Sequence, residues 1–318
     1  MIKDKKIAII IVYFGKLKES FKYFLKSIEH NSNIDYFLFL DQDIKLENTN
    51  KNIFYHKILL KDLKLLIYKK LNIIFDFKPY KLCDFRPLFP IIFEDYVSSY
   101  DYVGYGDVDT LHGNLDSFLY PIIDKEYFKI NWWGHLSFLK NDIKTIKKIE
   151  QKEKFILKIN TETNIGFDEK EFNTLLIKNN FKIFTGKFSA DIDCFYTKMK
   201  CVDKKTIIKK CKQTYKMDYY PKNYRKQIFV YNQFVGSINR LFKYRNTLYV
   251  EEFAYIHFRS EPKIFSISDN DLIVIGRNEW SSFALDYIEK NFCYILNRFN
   301  PSPTFKFYLK KSFKKLFK

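Results

Sequence analysis

Glycine and proline are scarce in this 318-residue chain, with nine and eight copies, too few for a disordered or low-complexity polymer. Its five cysteines (Cys83, Cys194, Cys201, Cys211 and Cys293) are odd in number, scattered, and form no C-x-x-C pair. That excludes a disulfide framework and a cysteine zinc site, and it fits a reducing compartment. No stretch approaches the roughly 20 apolar residues that a bilayer span needs. Internal repeats, Gly/Ser linkers, zinc fingers and RNA-binding signatures are missing as well. The opening "MIKDKKIAIIIVYFGKLKES" sets lysines before an apolar run, but the run is short and has no small-residue cleavage site. It reads as a first strand rather than a signal peptide.

What is present is a core. Hydrophobic residues make up 47% and aromatics 19%, enough for one large α/β domain or two closely joined halves. The net charge of +18 favours a polyanionic partner: nucleic acid, an anionic membrane surface, or phosphate-bearing substrates. The sign alone does not choose among them.

The first half alternates like βαβ units. "KIAIIIVYFG" and "IDYFLFLDQD" are continuous apolar runs, the mark of strands buried on both faces. Between them "ESFKYFLKSIEHN" has helical spacing, with Phe21, Phe24, Leu25 and Ile28 on one face. "NIFYHKILL" is a third strand candidate, followed by helical "LKLLIYKKLN", then "IIFEDYVSSY" as a helix and "DYVGYG" as a strand. Further on, "INWWGHLSFLKND" reads as a strand, "DIKTIKKIEQKEKFILKIN" as one charged helix and "FDEKEFNTLLIKNN" as another. "FKIFTGKFSADIDCFYTK" and "LYVEEFAYIHFRSEP" read as strands. Asp41, Asp107 and Asp109 all fall just past strand ends, where doubly wound sheets bind ligands.

Asp107 and Asp109 form a D-x-D. Paired carboxylates at a strand end can hold a hard divalent ion whose remaining positions go to phosphate oxygens. The spacing alone is common, since "DQD" at 41–43 and "DID" at 191–193 share it. Gly104 and Gly106 before it would permit close backbone approach, and Asn114 after it is a helix-cap candidate. Turn and capping chemistry is the other reading of the two acids.

The stretch "PYKLCDFRPLFPIIFEDYVSSYDYVGYGDVDTLHGNL" (79–115) resembles the signature of bacterial GT-A glycosyltransferases of surface-polysaccharide loci: K-L-C-D-aromatic-basic-P, a helix, then D-x-D and glycine. Residues 7–43 are similar to the first two strands of that fold, and "GHLSFLKN" (134–141) to the segment after D-x-D. The likeness thins beyond residue 141, with scattered matches as far as His257.

The resemblance implies an α/β fold of GT-A type, a Rossmann-like mixed sheet flanked by helices. Residues 1–115 would be the nucleotide-sugar-binding half, 116–300 the acceptor-binding half of the same domain, and 301–318 a basic tail. It implies Asp107, Asp109 and His257 as ligands of Mn²⁺ or Mg²⁺. Tyr13, Gly15, Asp41, Lys81, Asp84, Arg86 and Asp107 would line the donor site, with Arg259 in reach of phosphate. Asp168 and Glu169 after Gly166 resemble the acidic pair that supplies the base of an inverting enzyme, with Asp191 and Asp193 in reserve; acids complementing a helix dipole are the other reading. Trp132, Trp133 and His135 are either acceptor-side aromatics or core.

In the tail, a helical wheel puts Phe305, Tyr308, Leu309, Phe313, Leu316 and Phe317 on one side, with six lysines largely opposite. That is the composition of an interfacial membrane anchor; a docked or frayed terminal helix is the alternative. The expectation is a metal-dependent glycosyltransferase on the inner face of the cytoplasmic membrane. It would take a nucleotide-sugar donor, with UDP as the expected nucleotide, and a lipopolysaccharide, capsule or other lipid-linked glycan acceptor; nucleic acid is not expected as a partner. The competing readings are a basic membrane- or nucleic-acid-binding protein without catalysis and a D-x-D phosphatase. The phosphatase pattern wants a residue between the second acid and the threonine, whereas Thr110 follows Asp109 directly.

Overall fold

The computed structural model describes residues 5–46, 51–74, 76–185, 189–191, 227–244, 247–258, 262, 264–268, 272–276 and 279–299. The chain forms two compact units: Met1–Thr110 with Asn114–Phe188, and Leu111–Gly113 with Ser189–Lys318.

The strands of the first unit are β1 (Ile7–Tyr13), β2 (Ile34–Leu40), β3 (Ile53–Lys57) and β4 (Tyr102–Gly106). β5 (Thr110–His112) passes mainly to the second unit, and β6 (Lys129–Ile130), β7 (Leu136–Lys140) and β8 (Ile183–Phe184) complete the first. They form one sheet in the order β3-β2-β1-β4-β7-β6-β8. β1 runs parallel to β2 and β4, and β2 to β3, while β7 is antiparallel to β4 and β6. This is the mixed α/β sheet flanked by helices that the sequence led us to expect.

Both faces of the sheet are covered, which is why β1 carries no polar alternation. Ala8 and Ile10 point into a cluster with Leu63, Phe85, Leu88, Phe93, Phe155 and Phe172 from the surrounding helices, and Ile7, Ile9 and Ile11 are buried too. Truncating one such isoleucine to alanine costs about 2–5 kcal/mol.

Register places the functional edge. Parallel pairing of Tyr13 with Leu40 and of Ile11 with Gly106 brings the carboxyl ends of β1, β2 and β4 to one side. Antiparallel pairing of Gly106 with Leu136 brings the segment before β7 to that same side.

Two expectations change. The single charged helix is two, Ile143–Glu153 and Phe155–Ile159, because Lys154 adopts a left-handed conformation at φ 48°. The break lets Phe155 and Ile159 turn into the core. Of the strand expected over 130–142, residues 131–135 form a loop. Asn131 folds it by accepting from the Trp132 amide at 2.9 Å and donating to the Leu136 carbonyl at 2.6 Å.

In the second unit, β9 (Ser189–Asp191) pairs in parallel with β13 (Tyr255–His257), and β5 lies on the other side of β13. A separate six-stranded sheet has the order β12-β11-β10-β15-β16-β14. Its members are β10 (Gln227–Asn232), β11 (Ser237–Tyr244), β12 (Thr247–Phe253), β14 (Ile264–Ser266), β15 (Leu272–Ile275) and β16 (Glu279–Phe283). Ile228, Val230, Leu241 and Val274 pack on Ile288 and Ile295 of the helices Leu285–Lys290 and Phe292–Phe299. Of this sheet the sequence reading has only β12, within "LYVEEFAYIHFRSEP". Among the described residues, no helix is long and apolar enough to cross a membrane.

Candidate functional site

At the ends of β1 and β2 the chain is held by Asp41, whose two carboxylate oxygens accept from the Gly15 amide at 3.2 and 3.1 Å. Gly15 takes φ +118°, a conformation that side chains disfavour. Gln42 adds a bond from its amide to the Gly15 carbonyl. Tyr13 donates to the Lys16 carbonyl at 3.2 Å. Three expected donor-site residues, Tyr13, Gly15 and Asp41, thus stand together on the carboxyl edge.

The neighbouring strand end holds the D-x-D. Asp107 follows β4 directly and donates its amide to the His135 carbonyl at 3.1 Å; Thr110 closes the turn with a hydroxyl bond to the Asp107 carbonyl at 2.8 Å. The two acids therefore sit on a bend rather than on extended chain, and Asn114 caps the following helix, accepting from the Ser117 amide. Gly104 and Gly106 serve a different end from the one expected. They lie within β4, where a Cβ on Gly104 would meet the Phe138 ring at 2.7 Å.

Arg86 organises the cluster. One guanidinium nitrogen pairs with the Asp107 carboxylate; the other bonds Asp168 Oδ2 at 3.0 Å and the Gly134 carbonyl at 3.0 Å. A planar fork suits this task, since it can serve a carbonyl and two carboxylates in fixed geometry. One cation facing two acids leaves net negative charge. Asp168 is almost fully buried, and its carboxyl is raised to about 6, first by burial; Arg86 pulls it down and the charges of Glu169 and Asp107 push it up. Next to it, Glu169 is half-buried and accepts from the Gly134 amide at 2.9 Å. The two acids ride on a π-turn, Phe167–Glu171, entered through Gly166.

Gly134 is where chain and cluster cross. A Cβ there would collide with the Asp168 carboxylate, so any other residue would have to displace Asp168 or the loop. Lys129, wholly buried, supports the loop by donating to Asn173 Oδ1 at 2.8 Å and to the Trp132 carbonyl at 3.3 Å. Burial draws its ammonium down to about 7, against the pull of Asp168 and Glu169.

Lys81 and Asp84 are internal. Lys81 gives its three donors to Asp84 at 2.7 Å, Thr161 at 2.7 Å and the Thr163 carbonyl at 2.9 Å. Asp84 also accepts from the Ile165 and Phe167 amides at 3.0 and 2.7 Å. The pair pins the segment 161–167 and thereby sets where Asp168 and Glu169 begin. Cys83, between them in sequence, is an unreactive thiol, pushed up to about 12 by burial.

His257 closes β13 in the second unit, opposite Asp191 of β9 in register. Asp193, Arg259 and the tail 301–318 lie outside the described residues. Sequence reasoning missed Gly134 and Lys129. A glycine set between "WW" and "H" was a usable signal; one lysine among 55 basic residues was not.

The family model described as "Family of unknown function (DUF6625)" matches residues 9–283. No curated protein matches the sequence. Among solved structures, the chain is similar to the glycosyltransferase GlyE of Streptococcus pneumoniae TIGR4, at 17% identity and TM-score 0.37, over 57% of this chain and 45% of GlyE. It is also similar to the galactosyltransferase LgtC in complex with donor and acceptor sugar analogs, at 10% identity and TM-score 0.39, over 93% of this chain and 98% of LgtC. Mouse xyloside xylosyltransferase 1 follows at 5% and 0.39, over 58% of this chain and 86% of that one. The chain spans less than half the length of GlyE.

Proposed function

The chain belongs to DUF6625, a family of unknown function, and from that premise we propose an activity read from its own site: it is a metal-dependent glycosyltransferase. It moves a sugar from a nucleotide donor, UDP-linked, onto a lipid-linked or lipopolysaccharide glycan. The observation that carries the reading is Arg86 bridging Asp107 of the D-x-D and Asp168 on the carboxyl edge of the sheet. A cluster with more acid than base, beside the Gly15–Asp41 turn, suits a cation and a diphosphate better than it suits a salt bridge made for stability.

The proposed cation ligands are Asp107, Asp109 and His257, two carboxylates and an imidazole, a donor set fit for Mn²⁺ or Mg²⁺. Such an ion supplies positive charge to a leaving diphosphate. The residues of the chain do the rest. Tyr13, Gly15 and Asp41 border the nucleoside. Arg86 orients Asp107 and Asp168 together. Asp168 or Glu169 takes the proton of the attacking acceptor hydroxyl. Lys81 and Asp84 act at one remove, by holding the segment that carries this pair.

The location, the inner face of the cytoplasmic membrane with residues 301–318 as a basic anchor, belongs to the same proposal. The test is hydrolysis of a nucleotide-sugar panel by purified protein with and without Mn²⁺. Asp109→Ala is expected to remove activity by about 10³-fold or more with an unchanged thermal midpoint. Full activity in that variant, or in excess EDTA, would overturn the reading.

A further inference from the structure

Among the described residues most large aromatics are buried or half-buried, but two stand exposed around the carboxylate cluster. Trp133 is 39% exposed and Tyr80 is 75% exposed. Trp133 precedes Gly134, whose amide and carbonyl meet Glu169 and Arg86. Tyr80 sits close enough to Asp107, Arg86 and Asp168 for their charges to act on its hydroxyl. We propose that Trp133 and Tyr80 are platforms for a pyranose ring, which they hold against the carboxylates of the cluster.

Both aromatics stand on immobilised backbone. The Trp133 carbonyl accepts from Ser137 Oγ at 2.7 Å, and the peptides on either side are held by Asn131, Lys129, Glu169 and Arg86. His135 lies nearly parallel to the Trp133 ring, at 11° and 6.2 Å between centroids, and covers part of one face. Tyr80 precedes Lys81, whose ammonium is fixed by three bonds. Folding has no evident use for leaving over a third of an indole in water on so fixed a backbone, whereas a ligand with one apolar face has.

A pyranose is such a ligand. Its C–H face packs on an aromatic ring, and its hydroxyls donate to carboxylates such as Glu169. That the ring belongs to the acceptor rests on the glycosyltransferase reading; that a sugar binds at Trp133 does not.

Saturation-transfer difference NMR on the full chain tests this, with methyl β-D-glucopyranoside, methyl β-D-galactopyranoside, methyl α-D-mannopyranoside and uridine as probes. At least one glycoside should receive saturation on the protons of one ring face. Trp133→Ala should weaken its binding about tenfold, Tyr80→Ala by less, and Trp133→Phe should retain most of it. No glycoside signal, unchanged binding in Trp133→Ala, or a Trp133-dependent signal from uridine alone would overturn the assignment. Sugar binding without nucleotide-sugar hydrolysis would leave the platform standing and sink the transferase reading. Hydrolysis without sugar binding would do the reverse.

Discussion

Lys81–Asp84 and Arg86–Asp107–Asp168 are buried ionic groups that start within five residues of each other, yet their bonding differs in kind. In the first, every lysine donor has an acceptor and the carboxylate takes several further donors, so charge and hydrogen bonds close on themselves. In the second, one guanidinium faces two carboxylates, a third acid lies beside them, and Asp107 keeps about a third of its side chain open. A saturated pair holds a loop. An unbalanced one keeps capacity for something from outside, and this difference, more than burial, separates architecture from chemistry.

Three experiments can break or sharpen the contrast. Lys81→Met should leave Asp84 buried without its cation and cost about 3–5 kcal/mol of stability, seen as a lower urea midpoint, while activity measured well below the midpoint stays near that of the wild type. Loss of activity without loss of stability would make Lys81 part of the chemistry.

Arg86→Lys should do the opposite. An ammonium cannot span two carboxylates and a carbonyl as the fork does, so kcat should fall by about 10–100-fold with a small change in midpoint. A purely structural Arg86 would move the midpoint instead.

The smallest effect is on pH. The Asp168 carboxyl is raised from 3.8 to about 6, so its ionisation is held back in the folded protein. Its contribution to stability is complete below about pH 4 and is lost as pH rises through about 6. Activity, if the ionised form is needed, should climb over the same interval with a midpoint near 6, and Asp168→Asn should remove that inflection. A wild-type profile flat between pH 5 and 7 would count against Asp168.

Much of the first unit was legible because its strands are buried on both faces. An uninterrupted run such as "IAIIIVY" has few other destinies, and Asp41 and Asp107 mark its carboxyl edge by position alone. Beyond β12 and β13 the second unit was opaque for the converse reason. β10 and β11 carry Gln227, Asn232, Ser237 and Asn239 among their apolar residues, and a half-polar pattern over a short strand also fits loop and helix. The site was legible in its acids and not in its wiring. "KLCDFRP" announces Lys81, Asp84 and Arg86 alike, and only the fold reveals that two of them close on each other while the third reaches the D-x-D. Lys129 had no signal, because a buried lysine is distinguished only by what surrounds it.

Gly134 receives Arg86 on its carbonyl and offers its amide to Glu169, so one residue's backbone is tied to both the cation and an acid. Like two marks on one ruler, the cation and the acid keep the spacing that a single peptide unit's length allows, and a change at residue 134 would be felt by both.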